Sequence, residues 1–198
     1  NPQLKFSFEG SRRAQTNTMK GVKDGGMVAL ILIFCLLALQ FRSYSQPLII
    51  MTAIPFGLVG AIAGHLLLGY NLSIISVLGI VALTGIVVND SLILVDFINR
   101  SHEKGATVLE AVVESGVRRF RPILLTTLTT FFGLMPMLFE TSIQARFLIP
   151  MAISLAFGVL FSTFIILYLV PVLYTILEDK RLLIENLKQR IGIKREIV

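Results

Sequence analysis

"GIVVNDSLILVDF", residues 85–97, is a run of Gly, Val, Ile and Leu interrupted by Asn89, Asp90 and Asp96. Whether those three polar groups face lipid, water or protein decides what kind of fold the chain has. The surroundings answer the first part. Hydrophobic residues make up 55% of the 198 positions, charged residues only 15%, and the mean hydropathy is +0.81. A soluble domain carries about 25% charged residues. The deficit is concentrated in runs that reach the roughly 20 apolar residues needed to cross a bilayer. Five such runs stand at about 24–42, 48–68, 72–98, 122–140 and 147–177. The expected fold is all-α: a bundle of five transmembrane helices with one amphipathic helix on the cytoplasmic surface.

The first run follows a polar segment and lacks a basic start and a small-residue cleavage site, so it does not read as a signal peptide. The chain opens at Asn1, and five spans put its ends on opposite sides of the membrane. The expected reading is part of a longer protein, with residues 1–23 ending a soluble domain. Basic residues set the orientation. Arg42 lies between the first two spans. Arg100, Lys104, Arg118, Arg119 and Arg121 follow the third, and Lys180, Arg181, Lys188, Arg190, Lys194 and Arg195 lie in the tail, 178–198. Twelve of the eighteen Lys and Arg thus share one side, read as cytoplasmic. The opposite loops, "GYN" at 69–71 and "ETSIQAR" at 140–146, add only Arg146. Five basic residues in the first 23 run against the pattern, which a long translocated domain tolerates. The net charge of +6 is explained by this asymmetry and by anionic lipid, without nucleic acid. Cys35, alone within the first span, is expected to be a buried structural thiol, with no disulfide framework.

Within the second span Gly60 and Gly64 are four apart and share a face that another helix can approach closely. In the cytoplasmic loop, 99–121, Val108, Ala111, Val112 and Ser115 fall on one helical face, with Glu103, Glu110 and Glu114 more exposed. Pro122 stands near the start of the fourth span.

Asp90 is about eight residues from the cytoplasmic end of its span, hence about 12 Å deep. An ionised carboxylate facing lipid there costs at least ~2.5 kcal/mol. It is therefore expected to face other helices, either as a proton carrier or locked in a structural hydrogen-bond network. Asn89, turned about 100° away, can serve a carboxylate on a neighbouring helix without adding charge. Asp96, near the interface, is expected to pair with Arg100 at i+4. On the fourth span Arg119 and Thr126 share a face, which Thr130 and Gly133 roughly continue, with Thr127 beside it. Each threonine can instead bond its own backbone. His65, near the outer end of its span, is expected to pack helices.

The stretches "QFRSYSQPLIIMTAIPFGLVGAI", "GIVVNDSLILVDFIN" and "RRFRPILLTTLTTFFGLMP", in this order and spacing, resemble the last five spans of resistance-nodulation-division (RND) efflux permeases. The opening "FSFEGSRRAQTNTM" is similar to the end of that family's second large periplasmic domain. The resemblance implies a twelve-helix permease of the bacterial inner membrane, here its helices eight to twelve. It implies a proton antiporter exporting drugs or other amphiphilic compounds, with the proton gradient in place of a cofactor. Implied partners are the other half of the permease, a homotrimer, a periplasmic adaptor and an outer-membrane channel. In the family, two aspartates on the fourth helix work with a polar residue on the tenth and with Arg and Thr on the eleventh. The matching positions here are Asn89, followed by Asp90, then Arg119 and Thr126, with Thr127, Thr130 and Asp96 as possible auxiliaries. Multidrug members commonly have Lys where this chain has Asn89. An Asn cannot swap ion pairs, so either Asp90 joins the relay or coupling rests on carboxylates elsewhere. The alternatives are a related permease for lipids or protein secretion, and a membrane anchor.

Enzymatic readings fit poorly. An intramembrane aspartyl protease needs acids converging from two helices, and Asp90 and Asp96 diverge on one. His65 has no GxSx partner, and neither a metal cluster nor a phosphate loop is present in the sequence.

Overall fold

The computed structural model describes residues 10–190. The chain ends, with Asn1 and Val198, and the tail residues Lys194 and Arg195 lie outside the described residues. Six helices follow in order: α1 (Gly10–Phe41), α2 (Ser45–Met51), α3 (Ile54–Leu68), α4 (Ile74–Glu103), α5 (Val108–Leu138) and α6 (Ile143–Arg190). Together they provide five segments long and apolar enough to span a membrane, α2 and α3 forming one of them.

The helix ends follow from local chemistry. Ser73 caps α4 by accepting from the Ser76 N–H at 3.2 Å, while its own N–H donates to Ser76 Oγ at 3.1 Å. Thr107 and Glu110 make the same reciprocal box at the start of α5. Each box satisfies two donors that a helix start leaves free. Gly69 closes α3 in the left-handed region, φ 70°, where a side chain would be strained. The α2–α3 break has an equally local cause. Pro55 has no N–H for the Met51 carbonyl, and the chain turns through Thr52 and Ala53 before helix resumes.

Two boundaries differ from the hydropathy reading. Helix α1 begins within the polar opening segment, so residues 10–23 are continuous with the first span. The amphipathic helix expected in the cytoplasmic loop is present from Val108 and runs without interruption into the fourth span. Pro122 forfeits only its own bond to Arg118, which a helix near its polar end tolerates. Ala111 and Ser115 are buried and Glu110 is exposed, as the alternation predicts.

Helix α6 is the hub, packing against α3, α4 and α5. A Cβ on Gly60 would stand 2.5 Å from Phe161 Cβ and 2.7 Å from the Phe157 carbonyl oxygen. One on Gly64 would stand 2.5 Å from Phe157 Cβ. The two glycines therefore let α3 and α6 approach closely, as their spacing predicts. From α4, Leu83, Val87, Leu94 and Ile98 enter the same core. Helix α1 is peripheral, packing on α2 and α4, with Leu37 its one buried hydrophobic side chain among the described residues. This corrects the expectation for Cys35. The thiol is exposed because it lies on the side of α1 that no described helix covers.

Candidate functional site

The α4 helix sorts its polar residues by direction. Gly79, Leu83, Val87, Asp90, Leu94 and Ile98 recur at threes and fours and are all buried. Asp90 belongs to that stripe and is 6% exposed. Asn89 is rotated one helical step off it and is exposed, at the C-terminal end of a strip with Leu78, Val81, Ala82 and Gly85. The carboxylate of Asp90 makes no hydrogen bond or ion pair with any described residue. The adjacent polar pair therefore serves two different surfaces.

Helices α4 and α5 are antiparallel neighbours. Their facing pairs are Phe97 with Arg119 and Ser101 with Glu114. Equal rise along both helices then puts Asp90 level with about residue 126. Thr126 is exposed and shares its side of α5 with Thr129 and Gly133. Its hydroxyl donates to the Ile123 carbonyl at 2.8 Å, and Thr130 donates to the Thr126 carbonyl at 2.8 Å. Thr127 instead points inward, with its Oγ1 2.7 Å from Thr163 Oγ1 on α6. Each of those two hydroxyls also lies 2.9 Å from a carbonyl of its own helix, Ile123 or Val159. Two hydroxyl hydrogens face three positions, so one of the three bonds is always unmade.

Arg119 stands at the end of the α4–α5 pair nearest their connecting loop. Its guanidinium carbon lies 4.9 Å from the Phe97 ring centroid, a cation–π contact. Its Nε is buried and has no hydrogen-bond partner. The neighbouring charges are already engaged: Arg118 pairs with Glu114 at 2.9 Å, and Ser101 donates to the same carboxylate at 2.9 Å. Asp96 pairs with Arg100 at 2.9 Å, as its spacing predicts.

The structure thus gathers Asp90, Arg119 and Thr126 along the α4–α5 pair, yet closes no hydrogen-bonded chain among them. Asn89 and Thr126 both lie on surface that the described helices leave open. Asp96 and Thr127 have partners of their own elsewhere. Among the described residues, no three His, Cys, Asp or Glu side chains stand together as a metal site would require.

Two polar clusters had no local signal in the sequence. Gln46 of α2 and Asn99 of α4 exchange amide hydrogen bonds, both 3.0 Å, and Tyr174 of α6 donates to Asn99 Oδ1 at 2.7 Å. The three positions are 53 and 75 residues apart, so only the fold brings them together. Thr163 is 36 residues from Thr127. His65 is buried, with Nδ1 2.9 Å from the Ala61 carbonyl and Nε2 2.8 Å from Ser76 Oγ. It therefore ties the end of α3 to the start of α4, the packing role expected for it.

Residues 2–178 match the model of the AcrB/AcrD/AcrF family. The chain is 30% identical over 194 residues to "Multidrug resistance protein MdtC" of Proteus mirabilis (strain HI4320), covering 98% of this chain and 19% of that protein. It therefore spans about a fifth of that relative's length. Two crystal structures of a heavy metal efflux pump superpose on it. Crystal form II gives a TM-score of 0.73 at 28% identity, covering 87% of this chain and 16% of the other. Crystal form I gives 0.71 at 29% identity with the same coverage.

Proposed function

Because the chain belongs to the AcrB/AcrD/AcrF family of RND efflux permeases, we propose that it supplies half of a transmembrane proton-relay core driving export of drugs or other amphiphilic compounds. The observation that carries this reading is Asp90: a carboxylate buried among membrane helices, with no partner in the described chain. A carboxyl so placed can exchange a proton without breaking an existing ion pair, which suits it to a proton relay. Asn89 and Thr126 present neutral hydrogen-bonding groups on the open face beside it. Arg119 offers a cation whose Nε has no partner.

In the proposed cycle a proton from the periplasmic side binds the relay carboxylates and leaves to the cytoplasm as the helices change position. The acids expected opposite Asn89 and Arg119 belong to other helices of the permease. A guanidinium beside them favours their ionised form, and protonation releases that attraction. Asn89 cannot swap ion pairs as a lysine would, which transfers the titrating role on α4 to Asp90.

The relatives' names divide between multidrug resistance and heavy-metal efflux at 28–30% identity. Cargo recognition is accordingly assigned to parts of the permease outside these helices. The complete protein is proposed to be a homotrimer of the bacterial inner membrane, joined to a periplasmic adaptor and an outer-membrane channel. The test is a pair of variants in the complete permease. Asp90→Asn keeps the volume but cannot titrate, so export should be abolished with assembly intact. Asp90→Leu should lose export as well. Near-normal export by Asp90→Asn would remove Asp90 from the proton path.

A further inference from the structure

The Gln46–Asn99–Tyr174 cluster has no part in the proposed relay, yet it is built on the helix that carries the relay. Asn99 lies nine residues beyond Asp90, about 13 Å along α4. Its carbonyl oxygen accepts two bonds, from Gln46 Nε2 at 3.0 Å and Tyr174 Oη at 2.7 Å, and its amide nitrogen returns one to Gln46 Oε1 at 3.0 Å. Three helices thus meet on one amide. The arrangement tolerates neither sliding nor rotation: one turn is about 5.4 Å and one residue about 100°. Either displacement would break all three bonds. Close packing at Gly79 against Met151 and at Gly158 against Leu83 also restricts the α4–α6 register; the amide cluster adds directional bonds at the other end of the contact.

The cluster also borders a polar cleft lined by Gln40, Arg42, Asp96, Arg100 and Glu103. Water in that cleft can take over the amide groups when they part, so the bonds set a register without locking it permanently. The charged groups facing the cluster are Arg42 from the α1–α2 turn, Asp96, Arg100 and Glu103 from α4, and Glu178 and Arg181 from α6 beside Tyr174.

We infer that Asn99 is a positioning residue: through Gln46 and Tyr174 it sets the depth and rotation of α4 against α2 and α6, and so the directions of Asn89 and Asp90. The significance for transport rests on the relay proposed above; the register itself does not. The test uses the complete permease with spin labels on α4 at His102 and on α6 at Tyr168, both exposed. Asn99→Ala and Gln46→Ala should each broaden or shift the label-to-label distance distribution. They should also move the midpoint of the export pH profile by about half a unit or more in a common direction. The exchanged pair Gln46→Asn with Asn99→Gln retains reciprocal amides over the same span and should restore most of both readouts. An unchanged distance distribution in Asn99→Ala would overturn the inference. So would a changed distribution with an unaltered pH profile, provided Asp90→Asn is inactive in parallel. If Asp90→Asn exports normally, the relay reading fails by itself, and the distance distribution alone decides the role of Asn99.

Discussion

Asp90 and Asp96 are the same side chain six residues apart on one helix, and their surroundings give them different roles. Asp96 is partly exposed and paired with Arg100 one turn on. Such i,i+4 pairs contribute roughly 0.3–0.5 kcal/mol. Asp96→Asn should therefore leave export and thermal stability nearly unchanged, which a melting curve and a transport assay on the same preparation would check. Asp90 is largely buried and has no partner among the described residues, so its charge state is the variable. The Thr127–Thr163 pair makes a second contrast. Because two hydrogens serve three positions, Thr127→Val leaves the Thr163 hydroxyl satisfied by Val159. The expected loss is below about 1 kcal/mol. A loss of several kcal/mol on denaturant unfolding would mean that the hydroxyl contact itself holds α5 to α6.

Between α3 and α6 the decisive groups are missing side chains. Gly60→Ala would drive a methyl into the Phe157 carbonyl and Phe161 Cβ. Overpacking of this kind costs about 1–3 kcal/mol, so the melting temperature should fall. Gly116→Ala on α5 meets nothing within 4 Å. It should be neutral or stabilising by up to about 1 kcal/mol, since glycine is a poor helix former. The loop before α6 carries a pH signature. Glu140 accepts from the N–H groups of Ser142 and Thr141, both at 3.0 Å, which holds its carboxyl below the ordinary 4.5. That contribution is present above the unfolded value and is lost as pH falls through the lowered folded one. An NMR titration should place the midpoint below 4.5; a midpoint at or above it would show that these two bonds are not formed. Much of this level was legible in the sequence. Hydropathy marked five spans, the Gly60–Gly64 spacing marked the close approach, and the 108–115 alternation marked the buried face of α5. The α2–α3 break was not, because Pro55 also fits an unbroken membrane helix. Nor was the exposure of Cys35, since an apolar run says nothing about which of its sides has neighbours. The inward turn of Asp90 followed from the cost of exposing it to lipid. The partners of Asn99 and Thr127 did not follow, because they depend on long-range packing.

At the scale of the whole molecule the chain has two kinds of outer surface. One is aliphatic and aromatic, as with Leu36, Leu39, Leu125 and Phe132, and suits lipid. The other, with Gly85, Asn89, Thr126, Thr129 and Gly133, is small and polar and suits a further helix. The chain reconstituted alone should therefore insert without transporting. Cysteine labelling in intact cells should find Val198 on the cytoplasmic side and Asn1 outside; equal labelling of both from outside would contradict the orientation. The central claim is that proton movement through this core depends on Asp90. Its most direct test is proton flux into liposomes holding the complete permease, followed with an internal pH indicator while substrate is supplied under a pH gradient. Wild-type permease should show substrate-dependent proton flux, and Asp90→Asn, equally incorporated and still binding substrate, should show none. Undiminished substrate-coupled flux through Asp90→Asn would contradict the account.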